Sequence, residues 1–245
     1  MHPLSDAAER LRALHHSDDL LVLPNAWDAA SARLFESMGY PAVATTSAGV
    51  AEAIGYADGE VTPPEDMFAA VARIAASVSV PVTADLESGY RLSSETLVES
   101  LLGAGAIGLN IEDSVHGVDG AVMADPAVHA ERLAAIKAAG RAAGVDVVLN
   151  ARVDSFLHGL GVDDALVRAR AYAAAGADSV YPITVTSEED IAALVEGAGV
   201  PVNVYVHPRL PARERLAELG VRRVTFGAGL FRGALASAQQ TLSEY

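Results

Sequence analysis

The sequence contains no cysteine and a single lysine, and aromatic residues make up only 5 % of it. Without cysteine, the chain cannot form disulfides, thiolate metal sites or a cysteine nucleophile. The one lysine, Lys137, lies inside a helical pattern, which argues against a Schiff-base mechanism because that chemistry needs a lysine in the pocket. No apolar stretch reaches transmembrane length and the first residues lack the apolar core of a signal peptide, so we expect a cytoplasmic protein.

Positive charge is also scarce. Lysine and arginine together number 17 against 32 aspartates and glutamates, which gives a formal net charge of −15. Such a surface repels nucleic acid and anionic membranes, so we expect neither as a partner. It also repels small anionic substrates, and a site for one needs a local cation, a metal or an array of backbone N–H groups.

Eight short runs rich in Val and Leu alternate with Ala- and Leu-rich helical segments. The predicted strands lie near residues 20–26, 42–47, 80–87, 106–113, 145–154, 177–183, 201–206 and 222–228. The predicted helices lie near 26–38, 64–77, 93–103, 126–143, 163–175, 187–196, 211–219 and 229–242. This rhythm predicts an α/β fold, a single-domain (β/α)8 TIM barrel over 1–245 with an N-terminal helix within 1–19. A doubly wound open sheet is the alternative.

Two connections, 47–63 and 113–125, are long for this pattern. Both follow predicted strands and therefore lie at the carboxyl-terminal face of the barrel, where active sites of this fold occur. Long loops in a compact domain are usually functional, so we expect both connections to shape the site.

Polar side chains recur at the carboxyl ends of the strands. In "PVTADLESGY", Asp85 and Glu87 are two residues apart and are predicted to share one face of the strand. Glu112 ends the next strand, so three acids lie at the mouth of the barrel, the end where the strands have their carboxyl termini. They require a cation there because an unpaired buried carboxylate is costly. Arg152 is one candidate, and Mg²⁺ or Mn²⁺ is another. Taken singly, any of these acids could instead cap a helix or a loop.

The segment "FGAG", 226–229, follows the last strand and enters the last helix. It is similar to barrel phosphate sites, in which amides at a helix N-terminus bind an anion. A phosphate-binding barrel using the Gly227–Gly229 turn is therefore an alternative function, and a simple tight turn is an equally good interpretation.

Several segments in order, "NAWDAASARLFESMGYPAVATTSAG", "VPVTADLESGY", "GAIGLNIEDS", "LNARVDSF" and "GADSVYP", resemble the isocitrate lyase/phosphoenolpyruvate phosphonomutase superfamily. The resemblance covers about residues 20–238. It implies a (β/α)8 barrel that binds Mg²⁺ and a 2-oxoacid or phosphonate substrate, and a homo-oligomer, either a dimer or a tetramer.

The resemblance also implies roles for particular residues. Asp85 matches the direct metal ligand, and Glu87 and Glu112 match ligands of the metal or of its waters. Arg152 matches the arginine that meets the substrate's carboxylate or enolate oxygen. The remaining matches, on the substrate side, are Ser47, the Ala48 and Gly49 amides, Asn203 and the gating-loop acid Asp58. Asn25, at the end of the first strand, and Thr45, which stands where the family has an aromatic residue, are further candidates for substrate binding.

One departure concerns the loop after the fourth strand. The lyases of the superfamily carry "K-[KR]-C-G-H" there, whereas this chain has "SVHGVDGAVM" and so lacks their cysteine acid. Asp58, His116 and solvent are all open as the proton donor. The sequence thus predicts a Mg²⁺-dependent lyase, mutase or hydrolase acting through an enolate, with a catalytically reduced metal- and oxoacid-binding barrel as the alternative.

Overall fold

Parallel strands form a closed barrel in the computed structural model, which describes residues 4–17, 19–117 and 120–244. The strands are β1 Leu21–Leu23, β2 Asn25–Ala26, β3 Val43–Thr45, β4 Val82–Asp85, β5 Gly108–Glu112, β6 Ser114–Gly117, β7 Gly120–Met123, β8 Val148–Val153, β9 Ser179–Pro182, β10 Asn203–Tyr205 and β11 Arg223–Thr225. Together, β1 and β2 form the first barrel strand, divided at Pro24. The (β/α)8 prediction is therefore confirmed.

The barrel closes through two sheets. One sheet has the order β2-β3-β4-β5-β8-β9 and the other β1-β11-β10. A bridge between Val180 and Val202 joins β9 to the start of β10. Strands β6 and β7 form an antiparallel hairpin outside the barrel.

The helices are α1 Ser5–His15, α2 Ala29–Ser37, α3 Ser47–Ile54, α4 Pro64–Ala75, α5 Ser94–Gly103, α6 Pro126–Ala142, α7 Gly161–Ala174, α8 Glu188–Gly197, α9 Arg213–Glu218 and α10 Gly229–Ser243. The side chains of Ser93, Asp125 and Ser187 cap α5, α6 and α8. Helices α2, α5, α6, α7 and α9 are each followed by a glycine with positive φ, the left-handed conformation that commonly ends a helix: Gly39, Gly105, Gly144, Gly176 and Gly220.

The two long connections hold structure that the sequence reading did not include. Helix α3 occupies the first half of 47–63, where Thr46 caps it and Gly55 ends it in a left-handed conformation. The β6–β7 hairpin occupies most of 113–125, of which Val118 and Asp119 lie outside the described residues. The helix predicted within 1–19 is α1, while residues 1–3 and Asp18 are likewise outside the described part, as is Tyr245 of the predicted 1–245 domain.

Helix α1 is attached to the amino-terminal end of the barrel by ion pairs. Arg12 Nε donates to Asp178 at 2.6 Å, and Lys137 Nζ donates to the same carboxylate at 2.9 Å. Lys137 also donates to the Val147 carbonyl at 2.7 Å. The single lysine is therefore engaged in an ion pair and a hydrogen bond at the end of the barrel opposite Asp85.

No helix within the described residues is long and apolar enough to cross a membrane. The cytoplasmic location stays a prediction.

We expect His129→Phe to make the protein more resistant to acid. His129 is buried, its Nε2 has no partner within the described residues, and its ring lies 4.9 Å from that of Tyr172. Burial, followed by the charges of Arg132 and Arg168, lowers the pKa of His129 to about 4 from 6.5. The folded state therefore binds fewer protons than the unfolded state below pH 6.5, so this histidine reduces stability as the pH falls toward 4.

Between pH 7.5 and 5, the wild type should lose about 2 kcal/mol more unfolding free energy than His129→Phe, from the difference between the two pKa values. Urea unfolding at both pH values measures this. His16→Gln, at an exposed position, is the control and should behave as the wild type. Equal acid sensitivity of wild type and His129→Phe would contradict a neutral buried imidazole.

Candidate active site

Arg152 lies at the carboxyl end of β8 between two acids. Its guanidinium contacts the Glu112 carboxylate, and it donates to Asp154 through Nε at 2.7 Å and Nη2 at 3.1 Å. Glu112 and Arg152 are register partners on β5 and β8, which places their side chains on the same face. Burial opposes the charge of Arg152, but Glu112, Asp154 and Asp85 raise its pKa, so it stays a cation.

Asp85 ends β4 and is bonded to the start of α3. Its Oδ2 accepts from the Ser47 N–H at 3.1 Å and from Ser47 Oγ at 2.9 Å, and its Oδ1 accepts from Asn110 Nδ2 at 3.4 Å. The Asp85 N–H donates to Thr45 Oγ1 at 2.9 Å. A carboxylate at a helix N-terminus is favoured by the exposed amides there. Ser47, Thr45 and Asp85, predicted from two sequence segments, therefore meet in one place.

Glu87 has turned away from the regular strand. Its φ is 50°, so the two-residue alternation that placed it beside Asp85 ends before it. Its Oε2 accepts from the amides of Gly59 at 3.0 Å and Glu60 at 2.6 Å, and its Oε1 accepts from Tyr90 Oη at 2.9 Å. Glu87 thus holds the turn that follows Asp58 against the end of β4.

Glu60 makes the reciprocal contact. Its Oε1 accepts from Ser88 Oγ and from the Tyr90 N–H, both at 2.6 Å. Four of the non-glycine residues with positive φ belong to this contact: Glu60, Glu87, Tyr90 and Arg91. Left-handed backbone is costly at such residues and is concentrated at functional sites. The reciprocal hydrogen bonds between the 59–60 turn and the 87–91 turn therefore mark a loop that is held closed over the mouth of the barrel.

His116, on the hairpin strand β6, reaches back to the mouth. Its Nε2 lies 2.7 Å from Glu112 Oε1. This hydrogen bond raises the pKa of His116, while partial burial acts against it. A cavity of about 330 Å³ is lined in part by Gly59 and Tyr90, from the two turns, and by His116, from the hairpin.

The mouth concentrates negative charge. Burial raises the pKa of Glu87 to about 7, with the charges of Asp58 and Asp85 adding to the effect. Desolvation and then Asp85 raise the pKa of Asp58, although its side chain is exposed. Burial also raises the pKa of Glu112, against the effect of Arg152. These carboxyl groups would all be stabilised by a further cation.

No three histidine, aspartate or glutamate side chains in the described ranges are grouped closely enough to hold a metal by themselves. The predicted ligands Asp85, Glu87 and Glu112 each bond to protein groups as described above. The oxygen donors of these side chains still suit a hard cation that keeps several waters. The metal roles of these three residues stay predictions.

Asn25 and Asn203 have structural partners. Asn25 Oδ1 accepts from the amides of Phe226 at 2.7 Å and Gly227 at 3.1 Å, and its Nδ2 donates to the Thr45 carbonyl at 2.7 Å. The Gly229 N–H donates to the Phe226 carbonyl. Three of the four amides in the 226–229 segment, those of Phe226, Gly227 and Gly229, are therefore already engaged, which favours the tight-turn interpretation. Asn203 is fully buried and accepts from Thr225 at 3.3 Å.

The sequence reading missed Tyr181. It is the register partner of Arg152 on β9, it is buried, and its pKa is raised by burial, with Arg152 and Asp85 acting on it in opposite directions. Tyr181 lies near the carboxyl end of its strand, two residues after Ser179 and so on the same face. The same pattern, a polar residue at the carboxyl end of a strand, identified Arg152.

Comparison with known proteins identifies the family. The family model described as phosphoenolpyruvate phosphomutase matches residues 11–245. The chain belongs to this family. Its homologues place it within the superfamily of isocitrate lyases and phosphoenolpyruvate mutases, enzymes that act on oxoacid substrates.

An uncharacterized protein of Mycobacterium tuberculosis is 34 % identical over 231 residues, 91 % of this chain and 86 % of that protein. A 2-methylisocitrate lyase of Aeropyrum pernix is 27 % identical and covers 99 % of this chain and 80 % of the relative. An oxaloacetate decarboxylase of Pseudomonas savastanoi pv. phaseolicola is 27 % identical, with 98 % and 84 % covered.

Solved structures of the family agree in fold. A Burkholderia cenocepacia J2315 protein assigned as a phosphonomutase has a TM-score of 0.90 at 38 % identity, with 97 % of this chain and 99 % of that chain covered. Oxaloacetate acetylhydrolase in complex with its product oxalate has a TM-score of 0.88 at 28 % identity, with 98 % and 86 % covered.

Gly49→Ala should disturb the start of α3. A Cβ at Gly49 would lie 2.6 Å from Thr46 Cγ2 and 3.4 Å from Phe231 Cβ, both within packed structure. We expect a loss of about 1–3 kcal/mol of unfolding free energy from this overpacking, measured by denaturant unfolding.

Gly233→Ala is the matched control, because nothing lies within 4 Å of a Cβ there. In the middle of α10, this change should be neutral or should stabilise by about 0.5–1 kcal/mol. If Gly49→Ala is as stable as Gly233→Ala, the α3 N-terminus is not packed as described.

Proposed function

We propose that the protein is a Mg²⁺-dependent lyase or phosphonomutase-type enzyme that acts on a small 2-oxoacid through an enolate, cleaving or forming a C–C or P–C bond. The observation that carries the proposal is the meeting of Asp85, the N-terminus of α3 and the Arg152–Glu112 pair at one mouth of the barrel. This mouth combines an acidic cation site with donors for an anion.

Arg152 and the first turn of α3 are the donors in this proposal. Within the described residues no group accepts from the Ala48 N–H, one of the amides that a helix leaves unbonded at its start. Such an amide and a guanidinium stabilise an oxyanion that develops next to them, and one well-placed donor contributes about 3–4 kcal/mol. Ser47 orients Asp85, and the Gly49 N–H is bonded to Thr46 Oγ1 at 3.3 Å.

Asp85, with Glu87 and Glu112 acting directly or through water, would hold Mg²⁺, or Mn²⁺ in its place. The ion would supply Lewis-acid polarisation of a carbonyl oxygen. A bound cation would also offset the repulsion between an anionic substrate and a protein with a net charge of −15.

His116 and Asp58 are the proposed proton carriers at the site. His116 is bonded to Glu112 and borders the cavity, while Asp58 lies on the loop that Glu87 and Glu60 hold closed. In this proposal either residue exchanges a proton with the carbon of an enolate bound at the mouth. The names of the relatives, oxaloacetate decarboxylase, oxaloacetate acetylhydrolase and 2-methylisocitrate lyase, support a 2-oxoacid or a precursor of one as the substrate.

A screen of oxaloacetate, phosphonopyruvate and 2-methylisocitrate with Mg²⁺, read by coupled assays for pyruvate and, with phosphonopyruvate, for phosphoenolpyruvate, tests the proposal. We expect turnover of one of them and a loss of at least about 100-fold in kcat/KM for Asp85→Asn, since the transition state loses its cation ligand. Asp6→Asn, at an exposed position on α1, is the control and should keep full activity.

Turnover of no substrate, with oxalate and Mg²⁺ still bound, would replace the proposal by the metal- and oxoacid-binding barrel. Turnover that is unchanged in Asp85→Asn would contradict the assigned site.

The last helix supports a homo-oligomer. From 232 to 243 every residue of α10 is exposed, including Leu235 at 53 % and Leu242 at 74 %. A helix with apolar side chains and no packed face is marginal in water, so we propose that a second copy covers it in a dimer or tetramer.

Leu235→Glu combined with Leu242→Glu should convert the oligomer to monomers, measured by sedimentation velocity. Val167→Glu, at an equally exposed apolar position on α7, should leave the assembly intact. A monomeric wild type would contradict the oligomer.

A further inference from the structure

Arg223 is a fully buried arginine inside the barrel. It lies on β11, is 0 % exposed, and is among the largest completely buried side chains. Its register partner on β10 is Asn203, so both side chains point into the barrel. Burying a charged guanidinium costs free energy of desolvation, so an arginine at this position needs a functional explanation.

The partners of Arg223 are weak and neutral. Its Nη1 lies 3.4 Å from His15 Nε2 and its Nη2 lies 3.4 Å from Asn110 Oδ1, while Nε has no partner within the described residues. His15 Nδ1 lies 2.8 Å from the Leu11 carbonyl and therefore carries the proton, which leaves Nε2 as an acceptor. Burial, with Arg223 adding to it, lowers the pKa of His15 to about 4, so the imidazole is neutral.

The charge of Arg223 is not neutralised by an adjacent acid. Arg152 contacts Glu112 and Asp154, and Arg168 contacts Asp113 and Asp164. No carboxylate of the described chain lies within ion-pair distance of Arg223. Burial lowers the pKa of Arg223 to about 10, which still leaves the guanidinium charged at neutral pH.

A path of hydrogen bonds connects Arg223 to the mouth. Asn110 Oδ1 accepts from Arg223 and from Asn150 Nδ2, the latter at 2.9 Å, which fixes the orientation of the Asn110 amide. The Nδ2 of the same amide then donates to Asp85 Oδ1 at 3.4 Å. Asp85 also acts through space on Arg223 and raises its pKa against the effect of burial.

We infer that Arg223 is a positioning residue for the substrate anion: it turns the Asn110 amide toward Asp85 and supplies an unneutralised positive charge beneath the mouth that favours an anionic 2-oxoacid. This inference rests on the proposed function. A fixed charge in a low-dielectric interior acts over a longer distance than one in water, so it offsets the acidic mouth without touching the substrate.

This role predicts effects of opposite sign on the two ligands. Removing the charge should weaken the binding of a dianion and strengthen the binding of a divalent cation. If Arg223 had only a structural role, its loss would weaken the binding of both ligands and lower the stability of the fold. Replacing an unpaired buried charge with an apolar side chain of similar size removes the desolvation cost of that charge, so this change alone gives no reason for a loss of stability.

The test measures Mn²⁺ affinity by the electron paramagnetic resonance signal of the free ion, and oxalate affinity at saturating Mn²⁺ by calorimetry. For Arg223→Met we expect the oxalate Kd to rise about 10-fold and the Mn²⁺ Kd to fall about two- to threefold, from the loss of one nearby charge. Thermal stability should not fall. Arg223→Lys, which keeps the charge, should restore the oxalate Kd to within about threefold of the wild type.

Arg12→Met is the matched control, an arginine lost from the ion pairs at the base of the barrel. It should lower stability and leave both affinities unchanged. If Arg223→Met does not fold, Arg223→Gln can replace it as the neutral variant, and its affinities are then compared with those of the charged variant Arg223→Lys. An unchanged oxalate Kd in the neutral variants, or equal losses for Mn²⁺ and oxalate, overturns the inference. A wild type that binds neither ligand overturns the proposed function itself.

Discussion

The ion pairs of Arg152 hold the carboxyl-terminal mouth of the barrel together. Glu112 and Asp154 are almost completely buried, and both contact this guanidinium. Breaking such a pair from one side leaves an uncompensated buried charge and costs about 3–5 kcal/mol. Arg152 lies between β5 and β9 in register with Glu112 and Tyr181, so its charge compensates both of the buried carboxylates at the end of the barrel.

The interior below this mouth is unusually polar for a barrel core. Asn110, Asn150 and Ser179 form a hydrogen-bonded row across three adjacent strands, and Arg223 lies beneath it. In the proposed function this row separates two tasks: the upper acids would attract a cation, and the buried arginine would favour an anion. A protein with a net charge of −15 would need both to admit a small acidic substrate.

The sequence predicted the framework because the barrel repeats a simple rule. Eight apolar runs, each followed by a helix, with a left-handed glycine after most of those helices, leave little choice of topology, and strand ends such as Asp85 and Arg152 follow from it. The metal and substrate roles of these residues stay predictions.

Prediction failed where local geometry overrides the repeat. Glu87 has a left-handed backbone, which ends the alternation, and its carboxylate is bonded to amides 28 and 27 residues away in the chain. Helix α3 is short and contains a glycine whose role depends on the close approach of Thr46 and Phe231. Contacts of this kind depend on tertiary packing that no local pattern contains.

A crystal structure with Mn²⁺ and oxalate, using the anomalous signal of the metal, tests the central claim most directly. The account predicts a metal peak at bonding distance from Asp85, with oxalate between the metal, Arg152 and the Ala48 amide. Oxalate bound instead at the 226–229 turn, or a metal peak remote from Asp85, would contradict it.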